Sequence, residues 1–241
     1  MIGRTLAQQF AHEFRTATFP YNYGMSVHSG GDSIIHLLRS YTDEFPNKVI
    51  TKIDGVGAFD HILRALMLQK LRQLPTAHRL LPFVLLSYKE PNVFLWTDDA
   101  GRVHEIPQVE GGEQGDALMP ALFCLGLHDA LNAAKIQLRP GEELVAFLDD
   151  IYLVTEKNRA RAVYDIVTQA IRNHAGIEAN LGKTECWGTN GGDAPHGINE
   201  LVPDEIENPT PIWKGNLEPQ LNGIEVIGSQ IGKPECCRNS S

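Results

Sequence analysis

The sequence predicts an α+β domain in which helices pack on one face of a largely antiparallel sheet. Three observations carry that expectation. The run Val49-Ile50-Thr51-Lys52-Ile53 is β-branched and short, bounded by Pro46 and Gly55. Apolar residues at helical spacing follow it at once. Further on, Leu144-Val145-Ala146 and Ile151-Tyr152-Leu153-Val154 flank Phe147-Leu148-Asp149-Asp150, as two buried strands flank a tight turn.

The elements follow in order. Residues 1–45 mix short helical patterns with a loop region holding Tyr-Asn-Tyr-Gly and Ser-Gly-Gly-Asp, and Ser33 to Tyr41 reads as a short helix. A strand runs from Lys48 to Asp54. Phe59, Ile62, Leu63, Leu66, Met67 and Leu71 place a helix over Ala58 to Gln73, ending before Pro75, and a second helix covers Thr76 to Tyr88. Val93 to Thr97 and Arg102 to Pro107 flank Asp98-Asp99-Ala100-Gly101, a hairpin whose acids read as turn chemistry. Gly111-Gly112-Glu113-Gln114-Gly115 leads into an Ala/Leu-rich helix over Ala117 to Ala134. A helix over Glu156 to Ala175 closes on Gly176 in the C-cap position, and short strand-like pieces at Ile224 to Ile227 and Gln230-Ile231 flank Gly228. Strand, helix, helix, hairpin, helix, hairpin, helix is an α+β order.

With 241 residues and 42% hydrophobic composition, the chain can bury one core and a smaller appended lobe. No apolar stretch reaches the roughly 20 residues of a membrane span, and the first ten residues lack a signal-peptide core. The expectation is an intracellular protein with no membrane partner, nucleus and cytoplasm undistinguished. Four cysteines (Cys124, Cys186, Cys236, Cys237) form no CxxC pair, and nine histidines show no ligand spacing, which argues against a disulfide framework or structural zinc. A net charge of -9 argues against simple electrostatic adhesion to nucleic acid. That charge is uneven: residues 189–241 carry eight acids against three bases.

Adjacent carboxylates at a strand turn are hard to explain as packing, because one of the pair must face inward and a buried unpaired charge is costly. Asp54 ends the other buried strand. If the two strands are neighbours in one sheet, Asp54 and Asp149 converge on one edge. Convergent carboxylates repel unless cations neutralise them; Mg²⁺ takes such hard oxygen ligands.

Asp54-Gly55-Val56-Gly57-Ala58-Phe59-Asp60-His61-Ile62 resembles the first catalytic motif of reverse transcriptases, Asp-x-x-x-Ala-Phe-Asp-x-Ile. Gly112 to Phe123 is similar to their second motif, Phe147-Leu148-Asp149-Asp150 to the third, and Asn180-Leu181-Gly182-Lys183-Thr184 to the fourth; Ile227 to Gly232 resembles the turn beyond the palm. Tyr23-Gly24-Met25 through Ile34-Ile35 resembles the short fingers segment of retrotransposon and group II intron enzymes. These motifs keep the family's order over about residues 20–232, and the non-LTR or intron-like branch fits best.

The resemblance implies a polymerase palm with a ferredoxin-like core (46–190), a partial fingers segment (1–45), and an acidic turn-rich tail (191–241) that ends the palm without a thumb. It implies template-directed nucleotidyl transfer, an RNA-directed DNA polymerase of a retroelement using two Mg²⁺ ions, with Mn²⁺ as a substitute. Asp54, Asp149 and Asp150 would be catalytic and hold the metals, with Asp150 the weaker ligand and the Gly55 carbonyl a further one. Phe59 would lie against the sugar of the incoming nucleotide, Gln114 and Gly115 would approach nucleotide and template, and Lys183 would sit near the phosphates. The implied partners are an RNA or DNA template-primer and deoxynucleoside triphosphates, with missing fingers and thumb supplied by a longer chain. The alternative is a catalytically inactive palm fragment or scaffold derived from a retroelement. Met119 stands where the second motif usually has serine, Ser26-Val27-His28 stands where an arginine-bearing stretch is usual, and Gly191 to Glu218 has no functional reading.

Overall fold

A computed structural model describes residues 2–201 and 211–233. Four helices come first: α1 (Ile2–Gln9), α2 (Ala11–Thr18), α3 (Tyr23–Ser26) and α4 (Gly30–Glu44). Strand β1 (Lys48–Ile53) is followed by α5 (Ala58–His61), α6 (Arg64–Gln73), α7 (Leu81–Tyr88) and the hairpin β2 (Asn92–Thr97) and β3 (Val103–Gln108). Next come α8 (Met119–Lys135), the hairpin β4 (Glu143–Phe147) and β5 (Asp150–Glu156), α9 (Ala160–Ala175), β6 (Glu185–Trp187), and the hairpin β7 (Gly223–Val226) and β8 (Ser229–Gly232).

The central sheet has the order β4-β5-β1-β6, with every pairing antiparallel. The two strands singled out in the sequence are therefore neighbours, running from Lys48 opposite Glu156 to Ile53 opposite Ile151. Alternation divides their side chains between two cores. Ile53, Ala146, Ile151 and Leu153 pack with Leu122 and Phe123 of α8 and with Val163, Val167 and Ile171 of α9. Ile50, Val145, Tyr152 and Val154 pack on the opposite face with Ile34 and Leu38 of α4 and with Ile224, Val226 and Ile231 of the last hairpin. Each such buried aliphatic side chain contributes about 1.5–3 kcal/mol. The two long helices share one face as expected; α4 and the β7–β8 hairpin cover the other.

Several boundaries differ from expectation for identifiable reasons. The single helix expected over 58–73 is broken at Ile62-Leu63. There the Ile62 carbonyl accepts from Gly111 N–H, Leu63 N–H donates to the Ala175 carbonyl, and Arg64 N–H donates to Glu110. Tertiary partners have replaced helical ones, and α5 is left as one turn. The helix expected over 76–88 is a 3₁₀ turn at His78–Leu80 followed by α7. Gly30 and Gly31, expected in a loop, begin α4; Gly30 passes so close to the Tyr23 carbonyl that a Cβ would collide with it. The helix expected from Ala117 starts at Met119, because the Asp116 carboxylate holds Leu118 N–H in a turn just before it.

Other readings hold. Asp98 accepts from Ala100 and Arg102 N–H as a turn residue does. Gly176 closes α9 at φ 74, where a Cβ would also strike Leu63. Within the stretch that lacked a reading, Ile198, Ile212 and Trp213 form a small core with Val49, Ala160 and Cys186. Cys124 and Cys186 are buried free thiols; Cys236 and Cys237 lie outside the described residues. No helix among the described residues is long and apolar enough to cross a membrane.

Candidate active site

The site forms where β1, β5 and the segment before β6 end at one edge of the sheet. Register extends Ile53 opposite Ile151 by one position, which sets Asp54 across from Asp150. Asp149 occupies the two-residue turn that joins Phe147 to its partner Asp150. Adjacent antiparallel strands thus bring together three carboxylates separated by some 95 positions of sequence, as 149 less 54 gives.

The charges of Asp54 and Asp150 act on Asp149, and that of Asp54 acts on Asp150. Burial first, then the charges of Asp150 and Asp54, push Asp149 above the ordinary carboxylate range, against the pull of Lys183. Burial and the charge of Asp54 raise Asp150 likewise, opposed by Lys52. Two lysines offset part of this negative field. Lys52 Nζ lies 3.6 Å from Asp150 Oδ1, and Lys183 Nζ lies 3.4 Å from Asp54 Oδ2. Lys183 is 67% exposed whereas Asp54 is only 13% exposed, so the pair joins a solvated ammonium to a largely buried carboxylate.

Asp54 is fixed by the segment that precedes β6. Asn180 N–H donates to the Asp54 carbonyl at 2.8 Å and Asn180 Nδ2 approaches Asp54 Oδ2 at 3.4 Å. Val56 N–H donates to the Glu178 carbonyl, and Gly55 bridges Ala179. Gly55 has a steric reason to be glycine, since a Cβ there would lie 2.7 Å from Ile177 and 2.8 Å from Ala58.

Phe59 stacks on Phe123 of α8, ring centroids 4.4 Å apart and 11° from parallel, and stays half-exposed. Its carbonyl accepts from Gly112 N–H at 2.9 Å, which ties the first motif to the second. Met119 packs directly on Gly112, where a Cβ would overlap its sulfur. The residue that departs from the serine of the second motif thus fills the space beside the glycine. Gln114 and Gly115 form an exposed turn before α8, Gly115 at φ 96; among the described residues neither hydrogen-bonds to the carboxylates. The structure therefore gathers Asp54, Asp149, Asp150 and Lys183, places Phe59 on α5 just after Asp54, and leaves Gln114 and Gly115 on the exposed turn before α8.

Three supporting residues escaped the sequence reading. Asn180 lay inside a quoted motif without a role. Lys52 had a signal, since it stands two positions before Asp54 on the same strand face. Arg64, 5% exposed, donates to the carbonyls of Gly111 and Glu90 and holds the glycine-rich loop against α6; an arginine at a helix start gives no such hint.

The donor set suits a divalent cation of the hard type: carboxylate and carbonyl oxygens with excess negative charge. Among the described residues no three acidic, histidine or cysteine side chains already converge as a formed metal cluster. The raised Asp149 and Asp150 mark a field that a cation would relieve.

Comparison with known proteins bears on the family and the fold. The family described as reverse transcriptase (RNA-dependent DNA polymerase) matches residues 4–208. Among solved structures, a telomerase from Candida albicans in complex with a TWJ fragment of telomeric RNA superposes with a TM-score of 0.58 at 15% identity, over 97% of this chain and 36% of that one. An apo telomerase from Candida tropicalis truncated from its C-terminal domain gives a TM-score of 0.58 at 10% identity, over 95% of this chain and 44% of that one. At such identities the likeness establishes the fold, and the chain spans well under half the length of these structures. No curated protein matches the sequence. The matched region covers most of the chain and contains every residue gathered at the sheet edge: the chain belongs to the reverse transcriptase (RNA-dependent DNA polymerase) family.

Proposed function

We propose that this chain is the palm of a retroelement RNA-directed DNA polymerase, of the non-LTR or intron-like branch, which adds deoxynucleotides to a primer on an RNA template. One observation carries the reading: the β1–β5 register opposes Asp54 and Asp150 beside Asp149, with Lys183 on Asp54. A structural ion-pair network would match cations to carboxylates, whereas here two carboxylates keep raised pKa values despite two lysines.

In the reaction the primer 3′-oxygen would bond to the α-phosphorus of a deoxynucleoside triphosphate as the α–β phosphoanhydride bond breaks; the hydroxyl proton passes to water and pyrophosphate leaves. Asp54 and Asp149 would hold two Mg²⁺ ions, with the Gly55 carbonyl a further ligand and Asp150 a weaker one. Such ions, when bound, activate the attacking hydroxyl and neutralise charge on the leaving oxygen. The chain's own residues do the remaining work by position. Asn180 fixes the Asp54 carboxylate. Lys183, long and exposed, moves from Asp54 to the leaving phosphates, where an ammonium can donate a proton. Phe59, braced by Phe123, would lie against the sugar of the incoming nucleotide, where a bulky ring excludes a 2′-hydroxyl. Gln114 and Gly115 line the side approached by nucleotide and template. The telomerase whose fold this chain shares was solved with RNA, which supports a nucleic-acid partner here.

Primer extension on an RNA template with Mg²⁺ tests the reading. The wild-type chain, joined to any fingers and thumb encoded with it, extends the primer; Asp149→Ala reduces extension by about 10²–10³-fold, the scale expected when a charge-stabilising group is removed. Extension that survives Asp149→Ala removes the assignment.

A further inference from the structure

The turn that carries Asp149 does not hold itself. Only Leu148 and Asp149 separate the paired residues Phe147 and Asp150, and Leu148 adopts φ 55. Two-residue hairpin turns that need positive φ normally use Gly, Asn or Asp. A leucine there is strained, because its Cβ crowds the following carbonyl oxygen.

Asn22 answers that strain from 126 residues upstream. It is 1% exposed. Its Nδ2 donates to the Leu148 carbonyl at 3.1 Å, and its Oδ1 accepts from Leu148 N–H at 3.1 Å. Both polar atoms of one side chain thus grip both main-chain groups of the strained residue. The same Oδ1 accepts from Gly24 N–H and starts α3. Beside it, the Tyr21 carbonyl accepts from Ala146 N–H at 2.9 Å and Asn22 bridges Ala146 in parallel sense, so residues 21–22 lie along the outer edge of β4. Gly24 completes the fit, since a Cβ there would stand 3.1 Å from the Leu148 side chain.

We propose that Asn22 is a positioning residue for Asp149: its amide locks Leu148 in the left-handed conformation that aims the next carboxylate at Asp54. The proposal rests on the reading of Asp149 as a metal-holding carboxylate. Only a side chain with one donor and one acceptor at this length can serve. Alanine offers neither, and aspartate would offer no donor while adding a further negative charge. Residues that orient metal ligands typically change affinity about 10-fold or more when replaced.

The test uses the full 241-residue chain and Mn²⁺ as the probe. Amide exchange at Leu148 is followed by NMR, and Mn²⁺ affinity by spin resonance, in wild type, Asn22→Ala, Asn22→Ala with Leu148→Gly, and Asp149→Ala. Asn22→Ala is expected to speed Leu148 exchange at least tenfold and to weaken Mn²⁺ binding about tenfold. Leu148→Gly in that background restores most of the affinity, because glycine adopts positive φ unaided. A merely structural asparagine would lower thermal stability without that rescue. If Asn22→Ala does not fold, Asn22→Gln, with the same amide on a longer arm, takes its place and weakens Mn²⁺ binding less. Unchanged Leu148 exchange, or unchanged affinity while Asp149→Ala abolishes binding, overturns the role of Asn22 alone. Mn²⁺ binding indifferent to Asp149→Ala overturns the functional reading, and the role given to Asn22 falls with it.

Discussion

At the scale of single residues, burial and acidic neighbours set the pH dependence expected of Asp149. Asp149 has a folded pKa above its unfolded value, through burial and its acidic neighbours. Such a group binds its proton more tightly when folded, so its contribution is most favourable below the unfolded pKa and is lost as pH rises through the folded pKa. Asp149→Asn is therefore expected to raise the thermal midpoint of metal-free protein at pH 7, and to lose that advantage as pH falls below the ordinary carboxylate range. Calorimetry at pH 7 and near pH 3.5 checks this; a lower midpoint for the variant at pH 7 would show the carboxylate to be stabilising. Under the function proposed above, saturating Mg²⁺ should reverse the order at pH 7, because a ligand that binds the folded wild type more tightly than the variant stabilises it more. Asp54, Asp149 and Asp150 were legible in the sequence because short motifs carry them. Asn180 and Asn22 were not, because their hydrogen bonds to Asp54 and Leu148 exist only once the fold brings distant chain alongside; Lys52 was marked only by its place on the strand face of Asp54.

At the scale of elements, the hairpin that presents Asp149 is anchored at its base as well as its tip. Glu142, 4% exposed, accepts from Arg159 Nε at 2.8 Å and from Arg139 N–H at 2.8 Å, joining the start of β4 to the turn before α9. Burial alone would raise its pKa, but these hydrogen bonds and the arginine charges outweigh it and hold Glu142 below the usual range. A depressed carboxyl contributes stability above its unfolded pKa and loses it as pH falls through the folded value. Glu142→Gln is expected to cost about 1–3 kcal/mol at pH 7, part of the 3–5 kcal/mol seen for fully buried pairs because Arg159 keeps some solvent contact. Urea titration should show that gap closing below about pH 4; an equal gap at both pH values would mean that shape, and not charge, sets the cost. The elements themselves were largely legible, since periodicity and the Gly176 stop reflect local physics. The break at Ile62-Leu63 was not: its helical hydrogen bonds are traded for partners at Gly111 and Ala175 that no local pattern encodes.

At the scale of the molecule, the question is whether residues 1–45 are an accessory or part of the fold. The sequence expectation for them is a partial fingers segment, a remnant and not a self-sufficient domain. Their side chains nevertheless enter both cores: Phe10 and Phe14 join the cluster beneath α8, while Ile34 and Leu38 lie fully buried against Ile50, Tyr152 and Val154. Four such side chains at about 1.5–3 kcal/mol each amount to most of the roughly 5–15 kcal/mol by which a domain is stable. Removing them would also uncover the second sheet face and strip the Ala146 and Leu148 main chain of its partners at Tyr21 and Asn22. A chain of residues 46–241 is therefore expected to lack a cooperative thermal transition and to bind a hydrophobic dye at temperatures where the whole chain is folded. A cooperative transition near that of the whole chain would make the segment an accessory. The expected loss would mean that the N-terminal helices complete the sheet on which the carboxylates are mounted, so that the site and the fold depend on the same residues.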